Sequence, residues 1–96
     1  MGMLHDQIKN NIKEAMKAGD KVRLEVVRGM LAAFTNELVA NGRKPNEMLS
    51  DEEALSVVKR MIKKGNKVIP LFKQGNRQDL VDKEEAEIKI LESFVK

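Results

Sequence analysis

Apolar residues recur at three-to-four spacing along almost the whole chain, and polar breaks punctuate the pattern. Leu4, Ile8, Ile12, Ala15 and Met16 share one side of a helix predicted from about Leu4 to Ala18, with Lys9, Lys13 and Lys17 on another side. Gly19 suits a helix stop, and Asp20 suits the N-cap of a second helix over about Lys21 to Val39. Leu24, Val27, Leu31, Phe34 and Leu38 form the stripe expected to be buried there, with Met30 beside them. Gly29, Ala32 and Ala33 are small enough for a neighbouring helix to approach closely. Residues 40–48, with Gly42 and Pro45, read as a loop.

The third helix has the clearest start. Ser50 and Glu53 have capping-box spacing, and Asp51 and Glu52 suit the positive end of a helix. Leu55, Val58, Met61 and Ile62 continue an apolar face. Gly65, Asn66 and Pro70 then predict a kink or a break, because proline lacks an N–H and crowds the preceding turn. After Gly75, Asn76 is placed to cap a last helix, whose inward residues are Leu80, Val81, Ile88, Leu91, Phe94 and Val95. No strand alternation occurs. The expected fold is all-α: a compact bundle of four or five short amphipathic helices in one domain spanning residues 1–96.

Composition narrows the chemistry. With no cysteine among 96 residues, disulfides, thiol nucleophiles and thiolate metal sites are excluded. A reducing, cytoplasmic setting fits that composition. No apolar run approaches the roughly 20 residues of a membrane span, so no membrane partner is expected. The start Met1-Gly2-Met3-Leu4-His5-Asp6 has no hydrophobic signal core, and Asp6 stands where a myristoylation motif needs Ser or Thr.

The net charge of +3 is distributed unevenly. Segment 54–78 holds seven basic and no acidic residues. Lys59, Lys63 and Lys67 repeat every four positions, Arg60 and Lys64 form an adjacent row, and Lys73 and Arg77 follow. Such a face is either simply solvated or able to track phosphates. No aromatic residue interleaves with it, which argues against base stacking. Lys59, Arg60, Lys63, Lys64, Lys67 and Arg77 are the candidate nucleic-acid-binding residues.

Other groups offer less. Asp79, Asp82, Glu84, Glu85 and Glu87 do not match an EF-hand loop and fall at an exposed helix start. His5 is the single histidine and lacks partner ligands, so it reads as a surface residue near a fraying end. Ser50, Ser56, Ser93 and Thr35 lie in no nucleophile motif, and no glycine-rich phosphate loop is present. Arg23 and Arg28 lie near the seam between helices. Arg28 is expected to pair with Glu25 or Glu14, and a phosphate fork is its secondary reading. No catalytic residues, metal or cofactor are implied.

Several segments, taken in order, resemble one family. These are Leu4, Ile8, Ala15-Met16-Lys17-Ala18 and Asp20; then Arg23-Leu24 and Arg28 to Ala33; then Ser50 to Glu53 and a lysine-rich run. Gly75-Asn76-Arg77-Gln78-Asp79-Leu80-Val81-Asp82-Lys83-Glu84 and Glu87 to Glu92 complete the set. The chain is similar to the YqeY-like proteins, whose domain is shared with the C-terminal tail of the B subunit of tRNA-dependent amidotransferase. Members are usually longer, with a second helical subdomain after the point where this sequence stops, so the resemblance implies either a one-subdomain variant or a fragment; members also differ over Gly65 to Phe72. The resemblance implies a non-catalytic accessory module, with tRNA or an amidotransferase-type complex as partner. No residue set here supplies the carbon–nitrogen ligase chemistry, with glutamine as amide-nitrogen donor, that is associated with the family name. The rival reading is a protein-interaction or homo-oligomerisation module without nucleic-acid binding, in which the six methionines help a surface adapt.

Overall fold

The corner at Gly19-Asp20 sets the first pair of helices, α1 (Met3–Ala18) and α2 (Lys21–Ala40), in a computed structural model that describes residues 3–95. Gly19 turns the chain with φ of +68°, a conformation that costs glycine little. The Asp20 carboxylate then accepts the Arg23 N–H at 3.0 Å. The cap expected at this corner is therefore formed.

After α2, residues 41–50 run as an ordered loop. Arg43 donates to both carboxylate oxygens of Glu53 at 3.0 Å and to the Met48 carbonyl at 2.8 Å. This clamp carries Leu49, fully buried, into the core. Ser50 opens α3 (Asp51–Gln74) with a complete capping box. Its hydroxyl accepts the Glu53 N–H at 3.2 Å, and Glu53 accepts the Ser50 N–H at 2.9 Å.

Of the kink or break expected in the third helix, the break does not occur: α3 is one helix of 24 residues with Pro70 inside it. Two features explain this. Pro70 and Asn66 are exposed, so water can reach the carbonyl of Asn66 that proline leaves without its usual donor. Gly65 is buried against α4 (Gln78–Ser93) and allows the helices to come close. A Cβ there would lie 2.8 Å from Glu84 Oε1 and 3.0 Å from Ile88 Cγ1. Packing at Gly65 thus opposes the break that its low helix propensity suggests. The α3–α4 turn also differs from expectation. Asn76 takes φ of 56°, Arg77 is the N-cap, and no side chain caps the helix.

The described residues form four α-helices and no strand, an all-α bundle. Val27, Met30, Phe34 and Leu38 of α2 lie at its centre with Ile8, Leu49 and Val58. Val26 replaces Leu24 and Leu31 on the fully buried stripe of α2; the two leucines are half-buried. On α1 the buried side is His5, Ile8, Asn11 and Ala15, which leaves Met16 57% exposed. The expected inward face of α1 is therefore rotated. Val81, Ile88, Leu91 and Phe94 are buried as expected, with Leu80 and Val95 half-buried. No helix among the described residues is long and apolar enough to cross a membrane.

Candidate nucleic-acid interface

An unbroken α3 keeps the lysine row on one helix. Four residues advance a helix by about 6 Å, so Lys59, Lys63 and Lys67 follow one another along one side. All three are exposed, as are Arg60 and Lys64 in the next row. Lys59, Lys63, Lys64 and Lys67 form no ion pair among the described residues. The acidic residues of α4 do not neutralise the row: the cross-helix ion pair of α4 among the described residues is Lys83 with Glu25 of α2, at 3.5 Å.

The two arginines among the candidates are different. Arg60 donates to Glu37 of α2 at 2.7 Å, which holds the Glu37 carboxyl below its ordinary range. Arg77 lies beyond the end of α3 and clasps Asp79 through two bonds of 3.1 and 3.2 Å. Those bonds lower the Asp79 carboxyl and raise the Arg77 guanidinium. Arg77 is therefore both separate from the lysine row and already paired. The structure groups five of the six candidates on α3 and leaves four of them without a carboxylate.

His5 overturns its surface assignment. It is 2% exposed, and its Nδ1 accepts the Leu49 N–H at 2.9 Å. The ring centroid lies 5.0 Å from that of Phe34. Burial is the main cause of its lowered pKa; Lys9 adds to the shift and Asp6 opposes it. The signal available in the sequence was its position three residues before Ile8, on the same helical side. Asn11 is a second buried polar group that the apolar pattern did not mark. Its Oδ1 accepts from Arg23 Nε and Nη2 at 3.1 and 2.9 Å, and its Nδ2 donates to the Gln7 carbonyl. The Arg23 guanidinium also sits 5.1 Å from the centre of the Phe94 ring. Arg23 thus ties α1 and α2 to the end of the chain. Arg28, expected to pair with Glu25 or Glu14, is exposed and forms no ion pair among the described residues.

The acidic group on α4 is dispersed. Asp79 pairs with Arg77, Asp82 accepts from Gln78 at 2.8 Å, and Glu84 and Glu87 are half-buried. No group of three or more metal-ligating side chains occurs among the described residues. Thr35 and Ser93 donate their hydroxyls to carbonyls of their own helices, and Ser50 is a cap.

Comparison with known proteins places these features in a wider set. Residues 5–95 match the family described as YqeY-like protein. A Lachancea thermotolerans protein named "Altered inheritance of mitochondria protein 41, mitochondrial" is 32% identical over 89 residues, covering 92% of this chain and 46% of that protein. Its Kluyveromyces lactis namesake is 33% identical over 87 residues, covering 91% and 45%. An uncharacterized Schizosaccharomyces pombe protein is 30% identical over 88 residues, covering 92% and 68%. The chain spans about half the length of the first two relatives. The mitochondrial names of those two overturn the expectation of a cytoplasmic setting. The absence of cysteine does not separate a reducing cytosol from an organelle interior, so it could not carry that expectation.

Proposed function

This chain belongs to the YqeY-like family, and we propose that it serves as a non-catalytic accessory module that contacts tRNA, or a tRNA-modifying complex, through the basic side of α3. The observation that carries the reading is the exposed row Lys59, Lys63 and Lys67, with Lys64 beside it, all free of carboxylates among the described residues. Unpaired ammonium groups are available to displace counterions from a phosphate backbone. Arg60 contributes less, since an RNA phosphate must compete with Glu37 for it. No aromatic side chain stands among these lysines, so contact is with phosphates and shape rather than with stacked bases.

The domain shared with the amidotransferase tail makes tRNA the first RNA to test. Filter-binding titration at two salt concentrations should show affinity that falls as salt rises. Charge reversal at Lys59, Lys63 and Lys67 together should reduce binding at low salt by at least about a hundredfold, on the scale of three lost phosphate contacts. Undiminished binding by that variant counts against the proposal.

A further inference from the structure

The bundle leaves one feature of the sequence without a partner. Gly29, Ala32 and Ala33 suggest the close approach of another helix, yet Gly29 and Ala32 are exposed. A Cβ added at Gly29 would meet nothing within 4 Å. One turn further, Ala33 enters a surface groove of about 470 Å³ that α2 shares with α3 and α4. Met61, Val68 and Phe72 of α3 and Leu91 of α4 give it apolar walls. These walls sit beside the close α3–α4 contact at Gly65.

The groove also has a charge requirement. Glu84 and Glu87 border it from α4, both half-buried. The Glu84 carboxylate folds over the backbone of Gly65 instead of pointing away from α3. Neither carboxylate forms a hydrogen bond or an ion pair among the described residues. Lys64 borders the groove as well but pairs with neither. Burial, together with the like charge of Glu84, pushes the Glu87 carboxyl up. Half-buried carboxylates with no donor from the protein are free to take a guanidinium or ammonium supplied from outside as a charge-assisted hydrogen-bond partner.

We propose that this groove docks a short amphipathic helix of a protein partner, which sets small or aliphatic side chains against Ala33, Met61, Val68, Phe72 and Leu91 and an arginine or lysine against Glu84 and Glu87. The small residues of α2 admit a close backbone, and the apolar walls supply burial. The carboxylates select a basic helix and reject nucleic acid and anionic lipid, whose phosphates they repel. The groove shares only Lys64 with the basic side of α3, and its carboxylates and apolar walls involve none of Lys59, Lys63 and Lys67, so the inference can be tested apart from the RNA reading.

The test is a titration of the ¹⁵N-labelled chain with a synthetic 16-residue helical peptide of Ala, Leu and Arg, its apolar stripe flanked by arginines. A matched peptide with Glu in place of Arg is the control. The expected result is saturable amide shifts centred on Gly29, Ala33, Gly65 and Phe72 with the arginine peptide alone. Glu84→Gln with Glu87→Gln should weaken binding by about tenfold, in line with loss of partly buried charge pairs. The same binding should survive charge reversal of Lys59, Lys63 and Lys67. Shifts centred elsewhere, equal binding by the glutamine variant, or no saturation would overturn the proposal. So would the same shifts produced by concentrating the chain alone, which would make a second copy the occupant, or by tRNA alone. The shift map of the unaltered protein decides the outcome even if a variant fails to fold.

Discussion

Acid should loosen this bundle through His5, and the structure fixes the sign. A backbone N–H can only donate, so the Nδ1 that accepts from Leu49 must be unprotonated in the folded protein. The unfolded chain carries no such requirement. Its histidine takes up a proton near the ordinary value of about 6.5, whereas the folded pKa is lowered. The unfolded state therefore binds more protons in the interval below 6.5, and stability falls as pH drops through it. The slope cannot exceed about 1.4 kcal/mol per pH unit for one proton. The effect vanishes above the unfolded pKa and levels off below the folded one. His5→Ala should destabilise by about 2–4 kcal/mol at pH 8. It orphans a buried N–H, at about 1–3 kcal/mol, and it empties space beside Phe34. His5→Asn places an amide oxygen where Nδ1 accepts, so it should recover part of that loss and have no proton to take up near pH 6. Urea melts at pH 5 to 8 should show a stability difference between wild type and His5→Asn that narrows as pH falls. Comparing the two chains removes the contribution of the carboxylates. A constant difference across that range, or a His5→Ala cost under about 0.5 kcal/mol, would refute the reasoning.

The glycines give a paired test. Gly29→Ala should stabilise by about 0.5–1 kcal/mol, because the site is open and alanine favours a helix. Gly65→Ala crowds Glu84 and buried Ile88, and overpacking of about 1–3 kcal/mol should cancel or exceed the same propensity gain. Thermal melts that moved both variants upward equally would contradict the close approach of α3 and α4. Pro70→Ala should raise stability by about 1–3 kcal/mol, because an exposed position inside a helix regains its backbone bond. A loss of stability in urea would instead mean that the ring packs against the bundle.

Helix positions were legible because their signals are local. The Asp20 cap and the Ser50 capping box lie within three residues of the N–H groups they satisfy. The order of the helices, the inward face of α4 and most of that of α2 follow from spacing, with Val26 taking the place of Leu24 and Leu31. What failed depended on a neighbour. Gly65 and Pro70 look like breakers until α4 is placed against Gly65. His5 looks terminal and polar until the 41–50 loop presents an N–H to it from 44 positions away. Met16 looks like core until His5 and Asn11 take the buried side of α1. The lysine row could be read from its four-residue repeat. That Arg60 and Arg77 already hold carboxylates could not, since Glu37 reaches Arg60 from another helix and the Arg77–Asp79 pair depends on the form of the turn.

The central claim, that α3 presents free positive charge to an RNA backbone, is tested most directly by the salt dependence of tRNA binding. Association constants measured across a range of salt concentrations should fall with a log–log slope of about −2.8 to −3.6, the value for about four phosphate contacts. Neutralising Lys59, Lys63 and Lys67 one at a time should each flatten that slope by roughly 0.7–0.9, and Arg77→Gln should change it far less. A slope near zero, or one that is the same in the lysine variants and the wild type, would contradict the account.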